Sequence, residues 1–121
     1  MPPERFDRDR TSLLDIRIAA GRILQFVSGL DREAFREDLK TRSAVLHQLL
    51  VIGEATKRLS DGFRRAHPAI PWAAMAGMRD RLIHEYDEVD LEEVWRTASL
   101  DVPQLLEDVS ALIPRDEGEQ A

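Results

Sequence analysis

Residues 43–60 read SAVLHQLLVIGEATKRLS, with apolar or small side chains at Val45, Leu46, Leu49, Ile52, Gly53, Thr56 and Leu59. That three-four spacing lays one continuous face along an α-helix. His47, Glu54 and Arg58 fall on the opposite face. Such a trio reads either as a solvated, salt-linked surface or as the wall of a cleft. A glycine inside a helix costs about 1 kcal/mol against alanine. Gly53 therefore predicts a helix crossing too close for a side chain.

The same periodicity continues on both sides. Leu13, Ile16, Ala20, Ile23 and Val27 form the inner stripe of a first helix, with Asp15, Arg22 and Gln25 off it. Its expected start lies between Asp7 and Thr11, each a fair N-cap, which leaves residues 1–10 as a flexible leader. Ser28-Gly29 ends it. Asp31 can cap a short second helix with Phe35 and Leu39 as its apolar pair, and Lys40-Thr41-Arg42 marks a change of direction. Pro68 and Pro71 force an extended turn, with Pro71 suited to the first position of the next helix. Trp72, Met75 and Met78 follow at core spacing, and Gly77 permits a bend. Asp90 with Glu93 makes a capping box. Val94, Ala98, Leu105, Val109 and Leu112 carry the inner face onward. Asp101-Val102-Pro103-Gln104 either kinks this last helix or ends it and caps a new one. Pro114 stops it, and residues 114–121 read as a disordered tail. No strand-like alternation of useful length occurs. The expected fold is all-α: one domain over residues 11–113, an antiparallel helical bundle of four to six helices.

Composition narrows the function. A chain of 121 residues holds one core. It has no cysteine, so disulfides and thiolate metal sites are excluded. The start lacks a signal-peptide h-region and no apolar run reaches membrane-spanning length, so a cytoplasmic, membrane-free setting is expected. A formal net charge of −6 argues against a general nucleic-acid coat. An RNA-directed activity would need a local basic site. Fifteen of the seventeen basic residues are arginine, which reflects phosphate contact or merely codon bias. The most basic window, residues 57–67, contains Lys57, Arg58, Arg64 and Arg65 with His67 against one aspartate. It reads as an RNA track, with Arg81 nearby in the chain, or as a helix C-terminus where cations offset the dipole. Phe63 reads as a core plug. There is no Gly-rich phosphate loop and no Cys or His metal cluster, so neither cofactor nor metal is expected.

The chemistry concentrates in Arg79-Asp80-Arg81-Leu82-Ile83-His84-Glu85-Tyr86. On a helix Arg79, Ile83 and Tyr86 share one side, while Asp80 and His84 are i,i+4 neighbours. Asp80 is expected to accept a hydrogen bond from one ring nitrogen of His84, leaving the other free to move a proton. Arg79 offers a permanent cationic fork for phosphate. Together they suit phosphodiester cleavage without a metal. The bland alternative is solvated surface with a histidine at a helix end. Arg79 and His84 stand roughly 140° apart on an ideal helix. Either the helix breaks between them, or a two-fold dimer pools two copies of each in one cleft, the arrangement favoured here.

Three matches in order resemble HepT-type proteins of the HEPN superfamily. They are Arg79-x(4)-His84-x-Tyr86, the segment Ile52-Gly53-Glu54-Ala55, and the run from Ile70-Pro71-Trp72 through Gly77-Met78-Arg79 to Val89-Asp90-Leu91 and Val94-Trp95. Asp80 stands where the family more often has asparagine. The resemblance covers roughly residues 10–113. It implies a dimerising bundle with a composite, metal-independent ribonuclease site, a toxin leaving 2′,3′-cyclic phosphate and 5′-hydroxyl ends. His84 would transfer the proton, Arg79 stabilise the phosphate and Asp80 orient the site, with Glu54 a candidate cleft support. The implied partner is a small nucleotidyltransferase antitoxin of the MNT type that transfers AMP to Tyr86. Two other readings stay open: a non-catalytic module that only docks a nucleotidyltransferase, and a nucleotide-binding helical dimer.

Overall fold

The structure is a computed structural model and describes residues 3–113, with side chains from Arg8 onward. It is all-α, with no strand among the described residues. The elements are α1 (Pro3–Val27), α2 (Arg32–Glu37), α3 (Leu39–Arg58), α4 (Asp61–Ala66) and α5 (Trp72–His84), then a 3₁₀ turn (Tyr86–Glu88), α6 (Leu91–Arg96), a π-turn (Thr97–Asp101) and α7 (Val102–Leu112). Helix α3 lies between α1 and α5, and α7 closes the bundle against α1.

Neighbouring long helices run antiparallel. Asp9, near the start of α1, accepts from the backbone N and Oγ of Ser60 just past α3, both at 2.8 Å. Arg58, the last residue of α3, pairs with Asp15 at 3.2 Å. The core forms as the periodicity predicts. Leu13, Ile16, Ala20, Ile23, Val45, Leu49, Ile52, Val94, Ala98 and Val109 are all buried. Gly29, at φ 78°, takes the left-handed conformation that ends α1. No helix among the described residues is long and apolar enough to cross a membrane.

Several boundaries differ from expectation, each for a local reason. Helix α1 starts at Pro3, not between Asp7 and Thr11, and Asp9 is buried because it binds Ser60, the residue that joins α3 to α4 and caps α4, rather than belonging to a leader. Helix α3 starts at Leu39, because the Asp38 carboxylate caps Thr41 N at 3.0 Å and Thr41 Oγ1 at 2.7 Å. Lys40-Thr41-Arg42 is therefore its first turn. Leu39 is 66% exposed, and the ring partner of buried Phe35 is Trp95, 5.3 Å between centroids. Asp90 does cap α6 through Glu92 N at 2.9 Å. Glu93 does not complete the capping box, because Arg81 holds both its oxygens at 2.6 and 2.9 Å. Helix α5 passes Gly77 unbroken. Asp101 caps nothing. Pro103 has no N–H and its ring crowds the carbonyl four residues back. The chain absorbs this with the π-turn, in which Val102 N reaches Thr97 O. Pro114 and the expected tail lie outside the described residues.

Candidate active site

The site is built where α3 and α5 cross at Gly53. A Cβ placed there would lie 2.2 Å from Arg79 Cβ and 2.9 Å from Met75 O. Only a glycine lets the α5 backbone come this near, as the helical glycine predicted. Its sequence neighbour Glu54 then accepts from Arg79 Nε at 2.6 Å. One turn on, Lys57 Nζ donates to Asp80 Oδ1 at 2.7 Å, and Arg79 Nη1 donates to the same oxygen at 3.0 Å. The result is an alternating chain of four charges, Glu54–Arg79–Asp80–Lys57, carried by two helices. Arg79 is the least exposed member, its side chain 23% accessible. The Glu54 hydrogen bond, then Asp80, raises the Arg79 pKa and keeps the guanidinium charged. Lys57, then Arg79, holds the Asp80 carboxyl below the ordinary value.

The expected Asp80–His84 pair does not form. Lys57, brought across the helix crossing, and the neighbouring Arg79 bind the carboxylate by charge-assisted hydrogen bonds, stronger than one to an imidazole on the same helix. His84 sits exposed at the last position of α5, with no hydrogen-bond or ion-pair partner among the described residues. Tyr86 is 57% exposed. It lines a shallow cleft with Ser43, Leu46, His47, Leu50 and Leu82. Because α5 is unbroken from Trp72 to His84, the angular separation of Arg79 and His84 stands. One chain does not aim both at a single atom.

The other candidate RNA contacts mostly meet acids of their own chain. Arg58 pairs with Asp15, Arg64 with Asp61, and Arg81 with Glu93. The Arg81 pKa is raised, first by its Glu93 hydrogen bond. Arg65 is exposed with no ion-pair partner among the described residues. Phe63 packs its ring on His67 at 4.6 Å and near Trp72 at 6.2 Å, and Trp72 Nε1 donates to His67 O at 2.9 Å. This corner is structural, as the core-plug reading has it. A larger cavity, about 300 Å³, lies beside α5 over Leu49, Ile52, Met75, Met78 and Leu105, and its lining includes neither Arg79 nor His84.

The role of Lys57 against Asp80 was missed in the sequence. The available signal was register: Lys57 lies one turn on from the crossing glycine, at i+4, and three residues beyond Glu54.

Comparison with known proteins finds relatives along most of the chain. Residues 16–112 match the family model described as ribonuclease HepT-like. A protein named "Probable ribonuclease HepT" from Thermococcus cleftensis is 45% identical over 93 residues, covering 77% of this chain and 84% of the relative. A candidate RNase of Methanocaldococcus jannaschii is 36% identical over 110 residues, 91% of each chain. Another, from Caldanaerobacter subterraneus subsp. tengcongensis, is 36% identical over 94 residues, 78% of this chain and 84% of the relative. No solved structure matches significantly.

Proposed function

Because this chain belongs to the HepT-like ribonuclease family, we propose that it is an endoribonuclease toxin whose cleft is completed by a second copy of itself. The observation that carries the reading is the pairing of a fixed cation with a free imidazole. Arg79 is locked at the α3–α5 crossing by Gly53 and Glu54, and His84 is exposed on the same helix with no partner among the described residues. In the reaction His84 takes the proton of an RNA 2′-hydroxyl. The 2′-oxygen attacks the adjacent phosphorus, the bond to the 5′-oxygen breaks, and a proton returns to that leaving oxygen. The products are a 2′,3′-cyclic phosphate and a 5′-hydroxyl, with no metal required. Arg79 faces the charge that gathers on the phosphoryl oxygens. Two chains about a two-fold axis would set the Arg79 of one toward the His84 of the other.

Control falls to Tyr86. Its exposed phenol is accessible to a nucleotidyltransferase antitoxin of the MNT type, in a two-component module of type II or type VII-like organisation in the cytoplasm. AMP on Tyr86 adds bulk and negative charge beside the cleft and repels RNA. The test combines activity and mass. Wild type should cut single-stranded RNA in EDTA, and His84→Ala should lose about 10²-fold or more in rate with an unchanged melting temperature. Co-expression with a nucleotidyltransferase of the MNT type should add one or more AMP units to the intact mass, and Tyr86→Phe should remove them. Wild-type protein that leaves RNA intact would end the ribonuclease reading. One observation favours the docking-module alternative: most candidate RNA-contacting cations are already paired within the chain. Under it the His84 variant would bind the nucleotidyltransferase unchanged while no variant cleaved RNA.

A further inference from the structure

Asp80 Oδ1 is gripped by two cations from different helices, Lys57 Nζ at 2.7 Å and Arg79 Nη1 at 3.0 Å. Two cationic donors converging on one anionic oxygen is the geometry that holds a phosphate oxygen. Arg79 is not free to follow Asp80 away. Glu54 Oε1 holds its Nε at 2.6 Å and the close approach at Gly53 fixes its stem. Asp80 is tied less firmly, with a side chain 48% exposed and water within reach on rotation. The four charges of the cluster sum to zero, so as it stands the cluster exerts no net pull on a polyanion.

We propose that the position of Asp80 Oδ1 is a phosphate subsite for the RNA backbone, built from Lys57 and Arg79, which Asp80 fills as an internal competitor that the RNA phosphate displaces. The inference rests on the ribonuclease reading above and adds two things to it. Lys57 becomes a phosphate ligand. Asp80 becomes a brake on RNA binding rather than an orienter of His84. Displacement breaks no covalent bond. The carboxylate turns into water, and one phosphate oxygen takes its two hydrogen bonds.

The experiment is equilibrium binding of a single-stranded RNA oligonucleotide across a salt series, using full-length His84→Ala protein so that nothing is cleaved. Asp80→Asn keeps an acceptor for both cations and removes the competing charge. It should tighten binding about tenfold and steepen the salt dependence by about 0.7, the slope of one added phosphate contact on a single strand. Glu107→Gln, a charge-matched change at an exposed acid on α7, should move affinity less than twofold. Adding Lys57→Ala to Asp80→Asn should abolish most of the gain. The proposal is overturned if Asp80→Asn binds no better than Glu107→Gln, or if the gain survives the loss of Lys57. If no variant binds RNA and protein with His84 intact cleaves none, the ribonuclease reading falls as well. If that protein cleaves RNA and Asp80→Asn changes nothing, this subsite alone falls.

Discussion

At the scale of single residues, Gly53 controls the site although it carries no chemistry. Adding one methyl there would collide with Arg79 Cβ and with a backbone oxygen, and neither is the loose end of a side chain. Gly53→Ala should therefore destabilise the fold by about 1–3 kcal/mol and shift Arg79 off its place, lowering the rate along with the urea midpoint. An unchanged midpoint would mean that α5 can move away freely. The crossing itself was legible, since a glycine amid a regular helical face has few other uses. What crosses there was not. Sequence spacing reports neighbours within one helix, and it named Asp80 and His84 as a pair. The actual partners of Asp80 come from α3 and from the next residue back. Once a lysine is in reach, its charge-assisted hydrogen bond displaces the imidazole as the partner of the carboxylate.

At the scale of elements, helix ends were harder to place than helix faces. The buried stripes of α1, α3 and α7 follow from a period that no other structure satisfies. The ends depend on single side chains reaching across the chain. Asp9 is the clearest example, read as leader yet tying down the junction of α3 and α4 through Ser60, fifty-one positions away. Replacing Asp9 with Ala leaves the Ser60 N–H and hydroxyl without an acceptor in a nearly dry place. It should cost about 2 kcal/mol, read as a lower denaturant midpoint, and Asp9→Asn should recover part of the loss. Full stability in Asp9→Ala would show that water serves Ser60 equally well. The π-turn was foreshadowed only as an ambiguity between a kink and a stop. Pro103 marks where regular hydrogen bonding must fail, but not how the chain accommodates it.

At the scale of the whole molecule, the difficulty visible from residue counting persists in three dimensions. An unbroken α5 keeps Arg79 and His84 on different sides of one cylinder. The family and the all-helical fold were both legible, because the signature residues and the hydrophobic period run through most of the chain. A cleft shared between two chains, as proposed above, would draw half of each site from each chain. The measurement that bears most directly on a shared cleft is complementation between two inactive proteins. Arg79→Ala and His84→Ala are co-expressed with different tags, the mixed dimer is purified through both, and RNA cleavage is compared with each parent variant. If Arg79 of one chain serves His84 of the other, the mixed dimer holds one intact site and recovers about half of the wild-type rate. Cleavage no higher than that of the two parent variants would contradict the shared cleft and place each site within a single chain.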